Sequence, residues 1–127
     1  MAKILSIVEH AYAGTLEEQD DTVLWITHMI KNAGGDISTL LRGNATNYAV
    51  RGQDASGLRF GGAALSVPPK IEKDVADMIA KGIQVYAVRE DLEQRGIKTT
   101  DLVSGVTPVG KSDIARLFDE SDMVWHW

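Results

Sequence analysis

The chain predicts an α/β domain of three layers, α/β/α, around a five-stranded and mostly parallel sheet, running as one unit from residue 1 to 127. Three observations lead there. Strand-like and helix-like segments alternate along the whole chain, the pattern of a parallel sheet with right-handed crossovers and helices on both faces. The first strand-like segment, Lys3 to Glu9 (KILSIVE), is almost continuously apolar, as a central strand covered on both faces should be. Glycines at Gly34-Gly35, Gly82 and Gly96 close helix-like segments, where a left-handed residue lets the chain leave the helix.

Taken in order, Lys3 to Glu9 is the first strand and Glu9 to Gly14 (EHAYAG) the loop at its carboxyl end. That position puts Glu9, His10 and Tyr12 at the rim of any crevice. Thr15 followed by Glu18 fits a capping box, and a helix from about Leu16 to Ala33 carries Val23, Ile26, Ile30 and Ala33 on one face. The acidic residues Glu17, Glu18, Asp20 and Asp21 then fall in its first turns, where the helix dipole favours them and solvent covers them. Asp36 to Leu41 (DISTLL) is the second strand, and Asn44 to Val50 a short helix capped by Asn44.

Gln53 to Pro69 (QDASGLRFGGAALSVPP) is the longest stretch without periodicity, a loop of the kind that is usually functional or mobile. Its Arg59 to Gly62 could serve as a lid over the crevice or as an interface arm. Tandem prolines lead into a helix from Lys70 to Lys81 with Ile71, Val75, Met78 and Ile79 on one face. Ile83 to Val88 is the third strand, Asp91 to Arg95 a short helix, and Asp101 to Val103 or slightly beyond the fourth strand. Ser112 to Glu120 is the last helix and Asp122 to Trp127 (DMVWHW) the fifth strand, whose alternation sends Trp125 and Trp127 to one face. Core packing against a helix and burial between subunits are both open to that pair.

Composition narrows the function. A net charge of −5 with no Lys/Arg block argues against nucleic acid as a partner. The absence of cysteine removes disulfides, thiolate catalysis and cysteine-held metals together. His10, His28 and His126 are too scattered for a metal set, so neither metal nor cofactor is expected. The apolar run Ile4 to Val8 is too short for a signal segment or a membrane span, and the expected location is cytoplasmic.

The sharpest string is GVTPVGKS, Gly105 to Ser112, which fits the phosphate-loop pattern G-x-x-x-x-G-K-[ST]. In such a loop the glycines turn amides toward the phosphates, Lys111 reaches the outer phosphates and Ser112 a magnesium ion. A nucleotide- or phosphate-binding enzyme on this loop is the alternative function, although no strand bearing an acidic metal partner follows at the usual distance. A simpler version is an anion resting on the amides at the start of the last helix. His10, after the first strand, could act as acid, base or ligand partner, or simply bond a loop carbonyl. Glu9 and Tyr12 carry the same ambiguity, while His28 and His126 read as structural.

Three stretches, LLRGNATNYAVRG, KGIQVYAVREDLEQRGI and DLVSGVTPVGKSDIARL, resemble the DsrE/DsrF-like family, small α/β proteins linked to bacterial sulfur trafficking and oxidation. LLRGNATNYAVRG is similar to the family's strand, glycine and small helix. KGIQVYAVREDLEQRGI resembles its third strand, nucleophile position and Arg-Gly-Ile closure, and DLVSGVTPVGKSDIARL its last crossover. Sulfur-carrying members place a cysteine eight residues before the Arg-Gly glycine, and here that position is Val88; a second cysteine of some members falls on Asp91. Without a thiol no persulfide can form on this chain.

The resemblance therefore implies the fold, a tendency to form trimers or hexamers, and a non-catalytic role, with cysteine-less members as subunits beside cysteine-bearing relatives. Arg89, Glu90 and Asp91 could replace the thiol with polar contacts, or simply cap the short helix. The candidate ligand residues are then His10, Tyr12, Asn44, Val88, Arg89, Gly110, Lys111 and Ser112.

Overall fold

The structure is a computed structural model and describes residues 2–12 and 21–127. Its centre is a five-stranded sheet in the order β6-β5-β2-β1-β7. The strands are β1 Lys3–Val8, β2 Asp36–Leu41, β5 Gln84–Val88, β6 Thr107–Val109 and β7 Met123–His126. Every neighbouring pair is parallel. A separate antiparallel hairpin joins β3 Arg59–Phe60 to β4 Ala63–Ala64. The helices are α1 Thr22–Asn32, α2 Ile71–Ala80, α3 Arg89–Gln94 and α4 Ile114–Asp119.

Strand order decides which face each helix covers. From β1 to β2, β5 and β6 the chain steps in one direction, so right-handed crossovers put α1, α2 and α3 on one face. The return from β6 to β7 runs back across the sheet, which puts α4 on the other. Side-chain packing agrees. Ile37, Leu41, Val85 and Ala87 pack with Leu24, Val75, Met78 and Leu92 in one cluster. Leu5, Ile7, Leu40, Val88 and Val109 pack with Leu117 in a second.

Three local expectations change. Asp21 is a buried N-cap, 2% exposed, rather than a solvated first-turn carboxylate. It accepts from the amides of Val23 at 3.1 Å and Leu24 at 3.0 Å and from the Tyr48 hydroxyl. Helix α1 therefore starts at Thr22, while Thr15, Glu17, Glu18 and Asp20, with the expected start at Leu16, lie outside the described residues. Next, the segment after β2 is a 3-10 helix, Gly43–Ala49, capped by no side chain. The Asn44 side chain turns away to meet Arg95.

The fourth sheet strand is Thr107–Val109, not Asp101 to Val103. Thr99–Asp101 is a 3-10 turn, and Leu102 and Val103 are drawn to the Gly43–Ala49 segment instead: Leu102 bridges Val50, and the Val103 amide donates to Ala49 O at 2.8 Å. Gly105, at φ +99°, then turns the chain into β6. Pro108 fits there because β6 is an edge strand, where a missing N–H breaks no ladder.

The long loop folds back as the β3/β4 hairpin across Gly61-Gly62, with Gly61 at φ +62° supplying the turn. Trp125 and Trp127 do share a face, edge to face at 6.3 Å, and the Trp127 indole donates to Ser6 Oγ at 3.0 Å. Trp127 nevertheless stays 42% exposed, so no helix of the described residues buries it.

Candidate functional site

Neighbouring strands whose exits leave toward opposite faces open a crevice at their carboxyl ends. Here those strands are β5, which exits to α3, and β6, which exits to α4 on the other face. A cleft of about 800 Å³ lies at this edge, with Arg42, Asn44, Val88, Asp91, Arg95 and Lys111 among its lining and Glu9 and His10 from the end of β1. Ile114, Ala115 and Phe118 of α4 give it an apolar wall.

Its polar parts are held by a defined network. Glu9 takes Arg42 Nε at 2.9 Å on one oxygen and His126 Nε2 at 3.0 Å on the other, which ties the ends of β1, β2 and β7 together. Asp91 accepts from the Gly43 amide at 2.8 Å, fastening α3 to the exit of β2. Arg95 donates from Nε and Nη2 to Asn44 Oδ1, at 3.2 and 2.8 Å, and from Nη1 to the Asp91 carbonyl at 3.1 Å. Among the described residues the guanidinium is thus fixed in place by neutral oxygens.

The sequence candidates separate. His10, Asn44, Val88 and Lys111 come together in the cleft. Val88 is fully buried and belongs to the second core cluster, so it floors the cleft with its body and presents no free group. Arg89 and Gly110 do not line the cleft; Arg89 Nη2 lies 3.5 Å from Pro108 O, and a Cβ on Gly110 would sit 3.4 Å from Glu90 Oε1. Ser112 is exposed and does not line the cleft.

Tyr12 lies elsewhere. It walls a second cavity of about 440 Å³ under the hairpin, with Phe60, Leu58 and Ile71, and its hydroxyl donates to Gln53 Oε1. Its ring meets Tyr48 edge to face, and partial burial raises its pKa above the ordinary tyrosine value. Arg42 and Arg95, not singled out from sequence, are cleft residues. Their signal was position, one and seven residues beyond the ends of two adjacent strands.

The string Gly105 to Ser112 does not form an open anion loop. Its middle is strand β6, the Gly110 amide donates to Asp113 Oδ2 at 3.1 Å, and the Lys111 amide donates to Glu90 Oε2 at 2.6 Å. Two carboxylates occupy the amides that a phosphate would need. Of this string, only Lys111 lines the cleft. No group of three or more metal-ligating side chains, and no helix long and apolar enough to cross a membrane, occurs among the described residues.

The fold and cleft define a doubly wound parallel α/β domain with a ligand-sized crevice at its carboxyl edge. No family model and no curated protein matches the chain. Solved structures do. The chain is similar to the ychN protein of E. coli, at 21% identity and a TM-score of 0.76, each chain covered over 100% of its length. It is also similar to a protein of unknown function from Methanobacterium thermoautotrophicum, at 16% identity, TM-score 0.66 and 100% of both chains. A conserved protein of unknown function from Bacteroides thetaiotaomicron matches at 14% identity and TM-score 0.65, over 98% of this chain and 95% of that one. At these identities the likeness concerns the fold.

Proposed function

We propose that the chain is a DsrE/DsrF-like protein without thiol chemistry, a non-catalytic binding subunit that takes a small ligand or a partner segment in the cleft at the carboxyl edge of its sheet. One observation carries the reading. The strand-end position where a sulfur carrier would present its nucleophile holds Val88, 0% exposed, while the cleft beside it keeps an ordered set of polar groups. A site with preorganised binding groups and no thiol is suited to holding a ligand rather than to carrying sulfur. On this reading the chain assembles as a trimer or hexamer, or beside cysteine-bearing relatives that supply sulfur chemistry.

Native mass spectrometry of the protein purified gently from its own cells tests it. A retained small molecule, or a mixed assembly with a cysteine-bearing chain, is the expected result. A bare homogeneous protein that turns over a substrate without any thiol partner would overturn it.

A further inference from the structure

The charges of the cleft are unevenly satisfied, and that asymmetry specifies a ligand. Three cations, Arg42, Arg95 and Lys111, and two carboxylates, Glu9 and Asp91, line it. Glu9 is matched on both oxygens by Arg42 and His126, which uses up Arg42 as well. Asp91 has one oxygen committed to the Gly43 amide. Among the described residues Arg95 is held by the Asn44 amide oxygen and a backbone carbonyl, so its orientation is fixed while its charge is met by no described carboxylate. Lys111 Nζ has no partner among the described residues; the nearby Glu90 carboxylate is engaged with the backbone amide instead. An excess of positive charge thus faces this cleft in a chain whose net charge is −5.

Beside the cations stands an apolar wall, Ile114, Ala115 and Phe118, with Phe118 40% exposed and Val88 beneath. We propose that the cleft binds an organic carboxylate with a compact apolar body, its head on Arg95 and Lys111 and its body against Phe118 and Ile114. This rests on reading the cleft as a ligand site. Of the five N–H donors of Arg95, three are committed to Asn44 and Asp91, which leaves one on each terminal nitrogen for a carboxylate. A phosphate head is disfavoured because the Gly110 and Lys111 amides already serve Asp113 and Glu90.

Amide NMR titration of the full chain with hexanoate, hexanamide and hexyl phosphate tests the assignment. Hexanoate is expected to shift the amides of Asn44, Arg95, Lys111 and Phe118, and to bind at least about tenfold more tightly than hexanamide, since charge-assisted hydrogen bonds are roughly twice as strong as neutral ones. Lys111→Gln should weaken hexanoate about tenfold and leave hexanamide unchanged. Phe118→Ser should weaken both, while acetate, which lacks the body, is indifferent to it. Both side chains are exposed, so an unmoved spectrum elsewhere shows that the fold is kept.

Equal binding of hexanoate and hexanamide overturns the proposal, as does hexyl phosphate binding more tightly than hexanoate. A silent hexanoate titration of protein that retains some other molecule in native mass spectrometry would sink the carboxylate assignment and spare the ligand-site reading. A cleft response to hexanoate in a protein with thiol-independent turnover would sink the non-catalytic reading and spare the carboxylate assignment.

Discussion

Asp21→Ala is the most informative single change, because one carboxylate holds two parts of the structure. Its Oδ1 caps α1 through the Val23 and Leu24 amides, and its Oδ2 accepts the hydroxyl of Tyr48, which is 0% exposed in the segment that packs over β2. Losing an aspartate cap costs about 0.5–2 kcal/mol. Losing a hydrogen bond to a charged group costs about 1.5–3 kcal/mol. Together these predict a loss of about 2–5 kcal/mol, a fall in Tm on the order of 10 °C for a domain of this size.

Urea denaturation of Asp21→Ala, Tyr48→Phe and the double variant separates the two contributions. Tyr48→Phe should cost less than Asp21→Ala, because the cap remains. The double variant should fall short of the sum of the two, since the shared bond can be lost only once. Asp21→Ala costing under about 0.5 kcal/mol, within the range of ordinary surface substitutions, would refute the reasoning and return Asp21 to the solvated helix start that its acidic neighbours suggested.

Four further outcomes follow from the geometry. Gly105→Ala should destabilise by about 1–3 kcal/mol, from a positive φ of +99° and a Cβ 2.7 Å from Ile79 Cγ2; Gly52→Ala, also at positive φ but with open space around it, should cost less, as equilibrium unfolding will show. Thr39→Val should be neutral or stabilising by about 1 kcal/mol, because the Thr39 hydroxyl is buried with no hydrogen-bond partner among the described residues. Val88→Cys places the chain's sole thiol in a fully buried position, so alkylation followed by intact mass should be far slower than for Ser112→Cys on the exposed turn; equal rates would mean that the strand end opens to solvent.

The fourth concerns pH. The hydrogen bond from Lys73, at 2.6 Å, holds the Asp77 carboxyl below its ordinary pKa. A carboxylate depressed in the fold adds stability that is present above its unfolded pKa and lost as pH falls through the depressed value. Lys73→Ala should therefore move the Asp77 titration up toward the ordinary carboxylate range by NMR, and remove its share of the acid-side loss.

Much of this fold is legible without coordinates, because a strand sandwiched between layers must be apolar at almost every position and a helix at one position in three or four. KILSIVE, the Ile71–Val75–Met78 face and the glycines that close each helix are of that kind, and they lead to the right number of sheet strands. Local pattern failed where long-range pairing chose between two equally apolar segments. Leu102-Val103 and Val106 to Val109 are both apolar enough for a strand, and what decided was the Gly43–Ala49 segment, distant in sequence, which took the Ala49 and Val50 contacts. The same choice turned the phosphate-loop string into an edge strand, since its pattern records residue types and not where their amides point.

The cleft divides in the same way. The sequence by itself determined that no thiol chemistry can occur on this chain and that polar residues would gather where the strands end, for parallel strands all deliver their exits to one edge. It could not determine which charges would remain unmatched there. Glu9 and Arg42 lie far apart in sequence from His126, and Asn44 from Arg95; only the sheet order brings β7 beside β1 and α3 against the exit of β2. That order neutralises Glu9 and leaves Arg95 and Lys111 facing open space, because charge balance depends on distances between atoms, and the tertiary structure alone sets them.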